Sequence, residues 1–343
     1  MMKIAFEQHL NSINTAYTSF FNNHRHIDFK ILYKPKLSSK IVTTLRYFFF
    51  YLRCFFDFIF KYDLVHINGT KLGFIAYVAS FFGCRYIYTI HGFVIDKSYY
   101  RNGIIEKLDV LFMKLCCTRA KSVNTISMYS KEKLNEIYGV DSNVIYNGFD
   151  CRIFKKISSP EKSEIRKKYN IPLDSIIYIS VGRQNKAKNP FLVIDKFIQI
   201  SKDSDDAFLI MVGDGVLFQN VQSYLDSKGL IGRYLLIRNI PFEIISELYG
   251  ISTYFISGCR EEKFGLVALE ALACGCRPLL PRSGAFPELY SSPEFFYEPV
   301  VTTWEDDRCF NKKRLEILSS LNWAKSISKY EKLYYKYLDA DNE

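Results

Sequence analysis

The sequence predicts an α/β protein built on two parallel sheets, each covered by helices, facing a central cleft. Two observations point there. Short runs rich in β-branched and aromatic residues alternate with helical stretches, and many runs are apolar on both faces, as strands buried under helices must be. The runs also form two series, six before residue 150 and five after residue 174, with a polar stretch between them.

In chain order the first series reads "KIAF" (3–6), "DFKILY" (28–33), "DLVHIN" (63–68), "RYIYTI" (85–90), "SVNTIS" (122–127) and "NVIYNG" (143–148). The second reads "SIIYISVG" (175–182), "AFLIMVGDG" (207–215), "RYLLIR" (233–238), "TYFISG" (253–258) and "RPLLP" (277–281). Between them, "FKKISSPEKSEIRKKYNIPLD" (154–174) is charged and contains proline, and its start reads as a linker. The expected division is a first domain over 1–155, a linker over 156–172, a second domain over 173–322 and a terminal helix over 323–343. A chain of 343 residues is long enough for two such cores.

Composition sets further bounds. Hydrophobic residues make up 48% and charged residues 24%, a globular balance. The nine cysteines are an odd number with no CxxC pair, too sparse for a zinc site, and point to free thiols in a reducing cytosol. "MMKIAFEQHL" lacks the apolar core of a signal peptide. The net charge of +10 is unevenly placed: residues 1–160 carry 22 Lys and Arg against 11 Asp and Glu. A basic half fits an anionic partner, whether nucleic acid, an anionic membrane surface or a phosphate-bearing substrate. The most apolar stretch, "IVTTLRYFFFYLRCFFDFIF" (41–60), is interrupted by Arg46, Arg53 and Asp57 and falls short of the ~20 apolar residues of a spanning helix. It reads as a core helix leading into "DLVHIN", while its aromatic and basic character also suits a membrane surface.

Ligands of open α/β sheets bind beyond the carboxyl ends of the strands, and the unusual polar residues gather there. His66 and Asn68 end one run, and His91 follows the next. Ser127 and Asn147 close the first series, while Arg183, Asp214 and Glu262 follow runs of the second. A lone histidine is commonly structural, but a place between a strand end and Gly92 suits His91 equally to a functional role.

The segment "CREEKFGLVALEALACG" (259–275) is a loop followed by a helix, with Gly275 as its C-cap. Glu270 has Leu266, Val267, Ala273 and Cys274 at helical spacing, so no cation accompanies it. A buried unpaired carboxylate is costly, and needs either a distant protein donor or the hydroxyls of a ligand. Phe264, Gly265 and Leu266 open the helix, where free N–H groups and the dipole make an anion site. A second anion site lies in "VGRQNKAKNP" (181–190), where Arg183 and Lys188 stand five apart in the loop after a strand. Cations so placed suit a diphosphate, though two cations in a basic loop are also commonly solvated. "VGDG" (212–215) is a weak signal, and Asp203 with Asp205 precedes its strand, at the end away from ligands.

Taken together these segments resemble the retaining, nucleotide-sugar-dependent glycosyltransferases of family 4, whose GT-B architecture pairs two Rossmann-like domains. "EEKFGLVALEALACG" is similar to that family's glutamate–seven–glutamate motif, and "VGRQNKAKN" to its Gly-Arg-(x)4-Lys loop. "VIYNGFDCRIF" resembles its interdomain segment, "TISMYSKEKL" the strand and serine before it, and "SGAFPEL" the turn after the motif helix. "LNWAKSISKYEKLYYKYL" resembles the terminal helix that crosses back to the first domain.

The resemblance implies roles for residues. Glu262 would bind hydroxyls of the donor sugar, the N–H groups of Phe264, Gly265 and Leu266 its phosphates, and Glu270 the ribose. Arg183 and Lys188 would neutralise the departing diphosphate, and His91 would sit near the transferred sugar. No metal and no cofactor would be required. The donor would be a UDP- or GDP-sugar, moved with retention to a hydroxyl of a saccharide acceptor in surface polysaccharide or lipopolysaccharide synthesis. The enzyme would be cytoplasmic, with a basic first domain suited to the inner face of the membrane and a lipid-linked acceptor, and with no nucleic-acid partner. Two departures stand out. The family's Gly-rich loop after the first strand is replaced by "EQHLNSINTAYTS", and the proline after the motif helix comes one place late, in Gly275-Cys276-Arg277-Pro278. The missing glycines motivate an alternative, a non-catalytic nucleotide-sugar-binding subunit of a glycan assembly complex.

Overall fold

The computed structural model describes residues 2–7, 27–32, 40–93, 103–298 and 306–339. The chain divides into two compact units, one of Met1–Gly148 with Trp323–Glu343 and one of Phe149–Asn322.

The first unit holds six strands: β1 (Met2–Glu7), β2 (Ile27–Leu32), β3 (Leu64–Ile67), β4 (Tyr86–Ile90), β5 (Ser122–Thr125) and β6 (Asn143–Val144). They form one sheet in the order β2-β1-β3-β4-β5-β6, with every pairing parallel. Successive side chains of a strand point to opposite faces, and the core divides accordingly. Ala5, Val65, Ile67, Tyr86 and Tyr88 pack with Phe58 and Leu72 on one side. Ile4, Phe6, Leu64 and Ile87 pack on the other with Trp323, Ile327, Tyr330 and Tyr334 of the helix Trp323–Asp339.

The second unit holds β7 (Ile176–Val181), β8 (Ala207–Val212), β9 (Tyr234–Ile237), β10 (Tyr254–Ile256) and β11 (Arg277–Leu279). Their order is β11-β10-β7-β8-β9, again all parallel. Pro278 sits in β11 at the edge of this sheet, where a missing N–H breaks no ladder.

In both sheets the chain starts in the interior, builds outward to one side, then returns to build the other. The reversal falls between β1 and β3 in the first sheet and between β7 and β10 in the second. Crevices at such points are where ligands enter α/β sheets.

Two expectations need correction. The stretch read as a linker over 156–172 contains the helix Ser159–Lys168, which belongs to the second unit and packs on the helix Phe242–Ile251. Its polar composition hides a capping box: Ser158 and Glu161 close on each other and Pro160 stands in the first turn. The Arg166 guanidinium, donating to the carbonyls of Leu173, Ser175 and Ile251, fixes the chain that leads into β7. The unit boundary accordingly falls at 148/149, before residue 155.

The second correction concerns the apolar stretch at 41–60. It is a helix, Lys40–Phe60, leading toward β3, but only one face is core. Cys54 and Phe58 are buried, whereas Leu45, Phe48, Phe49, Leu52, Phe56 and Phe60 face outward. No helix among the described residues is long and apolar enough to cross a membrane. The "EQHLNSINTAYTS" departure lies, beyond Glu7, outside the described residues.

Candidate active site

In the second unit, the loops after β7 and β10 meet at the reversal point. Arg183, Lys188 and Glu262 line one pocket there, with Gln184, Gly258 and Val267. The loop after β7 is shaped by Asn185, whose Oδ1 accepts from the Lys188 N–H at 3.0 Å. Asn189 then caps the helix Pro190–Ile200. That turn aims Lys188 across the crevice, where its Nζ lies 2.5 Å from Glu262 Oε2.

Burial disfavours the charge of both partners, but each compensates the other. Burial pushes the Glu262 carboxyl up, and the Lys188 ammonium with its hydrogen bond outweighs this, leaving Glu262 below the usual carboxylate range. Burial pushes Lys188 down, and Glu262 lifts it above its ordinary value. Both are therefore ionised at neutral pH. The ammonium has three donors and gives one to Glu262. Arg183 is exposed at the same pocket, and its charge opposes that of Lys188.

The "VGDG" turn supports this loop from behind. Gly213 has φ 139°, and a Cβ there would stand 2.0 Å from the Gly182 carbonyl oxygen. The backbones touch because no side chain intervenes: Gly182 donates to Val212 at 2.9 Å and Gln184 to Asp214 at 2.9 Å.

The helix Leu266–Cys274 starts at Gly265, which has φ 81° and carries no side-chain cap. Ala268 and Leu269 N–H groups both close on the Gly265 carbonyl, so the N–H groups of Phe264, Gly265 and Leu266 precede the helical ladder. Gly265 is needed twice, since a Cβ would also stand 2.5 Å from the Phe286 ring.

Glu270 lies one turn further on and is 5% exposed. Among the described residues it has no ion pair, and burial pushes its carboxyl up to about 8. Its charge is felt at the buried hydroxyls of Tyr249 and Tyr290. It does not line the pocket of Lys188 and Glu262.

The first unit has its own polar cluster at strand ends. Glu7 ends β1, Asn68 follows β3 and His91 follows β4. The Glu7 carboxylate is buried and its Oε2 accepts from the Asn68 and Gly69 N–H groups at 2.9 and 2.7 Å. Asn68 Nδ2 donates to the Glu7 carbonyl at 2.8 Å, which turns its Oδ1 toward His91 Nε2, 3.0 Å away. An amide oxygen only accepts, so Nε2 of His91 carries the proton. Sequence reasoning missed Glu7 as the base of this cluster, although a carboxylate directly after "KIAF" was the available signal. His66 is a core residue, with Nδ1 2.6 Å from the Tyr334 hydroxyl and Nε2 2.7 Å from that of Thr89. Ser127 caps the helix Met128–Tyr138, and Asp214 pairs with Arg238. No cluster of metal-ligating side chains occurs among the described residues.

The family described as glycosyl transferases group 1 matches residues 161–306, and the family described as glycosyltransferase family 4 matches residues 16–152. The chain is 25% identical over 292 residues to the O-antigen biosynthesis glycosyltransferase WclY of Escherichia coli, covering 80% of this chain and 79% of that protein. It is 26% identical over 238 residues to N-acetyl-alpha-D-glucosaminyl L-malate synthase of Bacillus anthracis, covering 64% of this chain and 61% of that protein. Among solved structures, sucrose-phosphate synthase from Thermosynechococcus elongatus superposes with a TM-score of 0.77 over 99% of this chain and 100% of that one, at 16% identity. Anabaena HepE in complex with UDP and glucose gives 0.73 over 98% of this chain and 100% of that one, at 16% identity.

Proposed function

The chain belongs to glycosyltransferase family 4 and has the GT-B fold, and from that premise we propose that it moves a sugar from a UDP- or GDP-sugar to a hydroxyl of a saccharide acceptor, with retention at the anomeric carbon. The product is a growing surface polysaccharide or lipopolysaccharide, a reading supported by the O-antigen enzyme among its relatives. The acceptor is lipid-linked, and the enzyme works at the inner face of the membrane as a peripheral protein.

The observation that carries the proposal is the meeting of Arg183, Lys188 and Glu262 in one pocket at a sheet reversal. Cleaving a sugar from a nucleoside diphosphate places negative charge on the departing phosphate. Arg183, the two remaining donors of Lys188 and the N–H groups of Phe264, Gly265 and Leu266 are the groups that oppose it, so the charge is met without a metal. Glu262, held ionised by Lys188, accepts from hydroxyls of the donor sugar, fixing the ring while the bond breaks. Glu270 accepts from the ribose hydroxyls. His91, with its Nε2 held on Asn68, is the residue assigned to the transferred sugar.

The test is a binding screen of UDP- and GDP-sugars by calorimetry, followed by product analysis with the best binder. Glu262→Ala and Arg183→Ala should each abolish transfer. Full activity in both variants overturns the site. Tight donor binding without turnover on any saccharide acceptor returns the alternative of a non-catalytic subunit.

A further inference from the structure

The helix Lys40–Phe60 inverts the usual logic of a surface helix. Its inner face packs on the first sheet through Cys54 and Phe58, and its outer face is also apolar. Leu45, Phe49, Leu52, Phe56 and Phe60 are each between 43% and 80% exposed. They recur at steps of four, three, four and four, so they form one stripe along the helix. The stripe does not stop at the helix. Phe55 meets Phe82 edge-on at 5.8 Å, and Phe82 with Phe81, both exposed, continue the aromatic surface onto the turn Ser80–Phe82. Contiguous exposed aromatics on this scale mark an interaction surface.

Charge selects the partner. Arg46 and Arg53, seven apart and exposed, run along one flank of the stripe, and Lys61 follows its end. Arg119 lies over the Phe81 ring at 4.3 Å. Asp57 pairs with Arg53 at 3.5 Å and is the single acidic side chain of the helix. Aromatic rings bordered by cations, on a helix that does not span, are the pattern of an element lying in the headgroup layer of an anionic bilayer. The whole half of the chain carries the same sign, with 22 basic against 11 acidic residues in 1–160.

We propose that the outer face of the helix Lys40–Phe60, together with Phe81 and Phe82, is a docking surface for an anionic lipid bilayer, with Phe49, Phe56 and Phe82 entering the acyl boundary and Arg46, Arg53 and Arg119 meeting the headgroups. It names the surface behind the peripheral placement given above and rests on that placement alone, independent of the donor site.

The test uses the full chain and vesicles of phosphatidylcholine, with and without one-third phosphatidylglycerol. The protein should sediment with the anionic vesicles, and added salt should weaken this. Phe49→Ser with Phe56→Ser should reduce vesicle affinity about tenfold or more. UDP-sugar binding and transfer to a soluble saccharide acceptor should be unchanged, which separates this surface from the donor site. In a Phe56→Trp variant the fluorescence should shift to the blue on adding anionic vesicles. Absence of sedimentation, equal sedimentation of the double-serine variant, or an unshifted Phe56→Trp spectrum each overturns the proposal. A concentration-dependent dimer abolished by the serine substitutions also overturns it, assigning the face to a second copy of the chain.

Discussion

Lys188 Nζ and Glu262 Oε2, 74 residues apart in sequence, meet at 2.5 Å and join the loop after β7 to the loop after β10. The pair fixes the charge state of the pocket. Lys188→Met leaves the Glu262 carboxylate unpaired on a side chain only 14% exposed, and should cost about 1–3 kcal/mol of stability. Because the folded carboxyl is depressed, its contribution is present above the unfolded value of about 4.3 and is lost as pH falls through the folded value. Thermal melts at pH 7 and in acid should show the parent and the Met variant converging as the pH drops. Transfer should fall by about 10²–10³ at the same time, as expected when a donor to developing charge is removed.

Glu270 titrates in the opposite sense. Its folded value is raised to about 8, so its contribution is complete below the unfolded value and is lost as pH rises through about 8. Glu270→Gln should melt higher than the parent above neutral pH and match it in acid, measured by calorimetry at intervals from acid to alkaline pH. If ribose hydroxyls favour the carboxylate, UDP binding to the parent releases a proton near neutral pH and tightens as pH approaches 8. Calorimetry in buffers of different ionisation enthalpy reads that proton. The Gln variant should bind without it and about tenfold or more weakly.

Gly265→Ala should fail for two reasons that add. The residue needs a positive φ, and its Cβ would press on the Phe286 ring. A loss of about 1–3 kcal/mol in stability is expected, together with weaker nucleotide binding as the first-turn N–H groups shift. Replacing Phe286 by Leu in the same chain should recover part of the stability and little of the stability lost to backbone strain.

Asn68→Ala removes the acceptor that fixes His91 Nε2. The turnover rate should fall, while donor affinity, measured by calorimetry, stays near the parent's. An unchanged turnover rate would show that His91 does not depend on Asn68.

The strands were legible because each is a short apolar run with a polar or glycine boundary, and every one of the eleven runs overlaps a strand. The sequence of motifs also placed Arg183, Lys188 and Glu262 at strand ends. It did not reveal that Lys188 and Glu262 bind each other, since contact across 74 residues follows from strand order, which periodicity does not encode. The helix Ser159–Lys168 escaped because composition outweighed its Ser158–Glu161 box. For 41–60 the sequence offered both a core helix and a membrane-surface helix, since an apolar run does not say which side is covered; the exposed stripe at 45–60 separates the two faces. His66 and His91 looked alike beside strand ends. Packing separates them, for His66 is enclosed by Thr89, Tyr330 and Tyr334.

The helix Trp323–Asp339 packs on Ile4, Phe6, Leu64 and Ile87 on one face of the first unit's sheet. On the ribosome this reverses the order of completion. The strands of the first unit emerge first but wait for residues 323–339, roughly ten to thirty-five seconds at ~5–20 residues per second. The second unit, continuous over 149–322, can close in the interval. During that delay Ile4, Phe6, Leu64 and Ile87 lack the helix that packs on them, a vulnerable species in the cell, and the half made earliest is the half finished last.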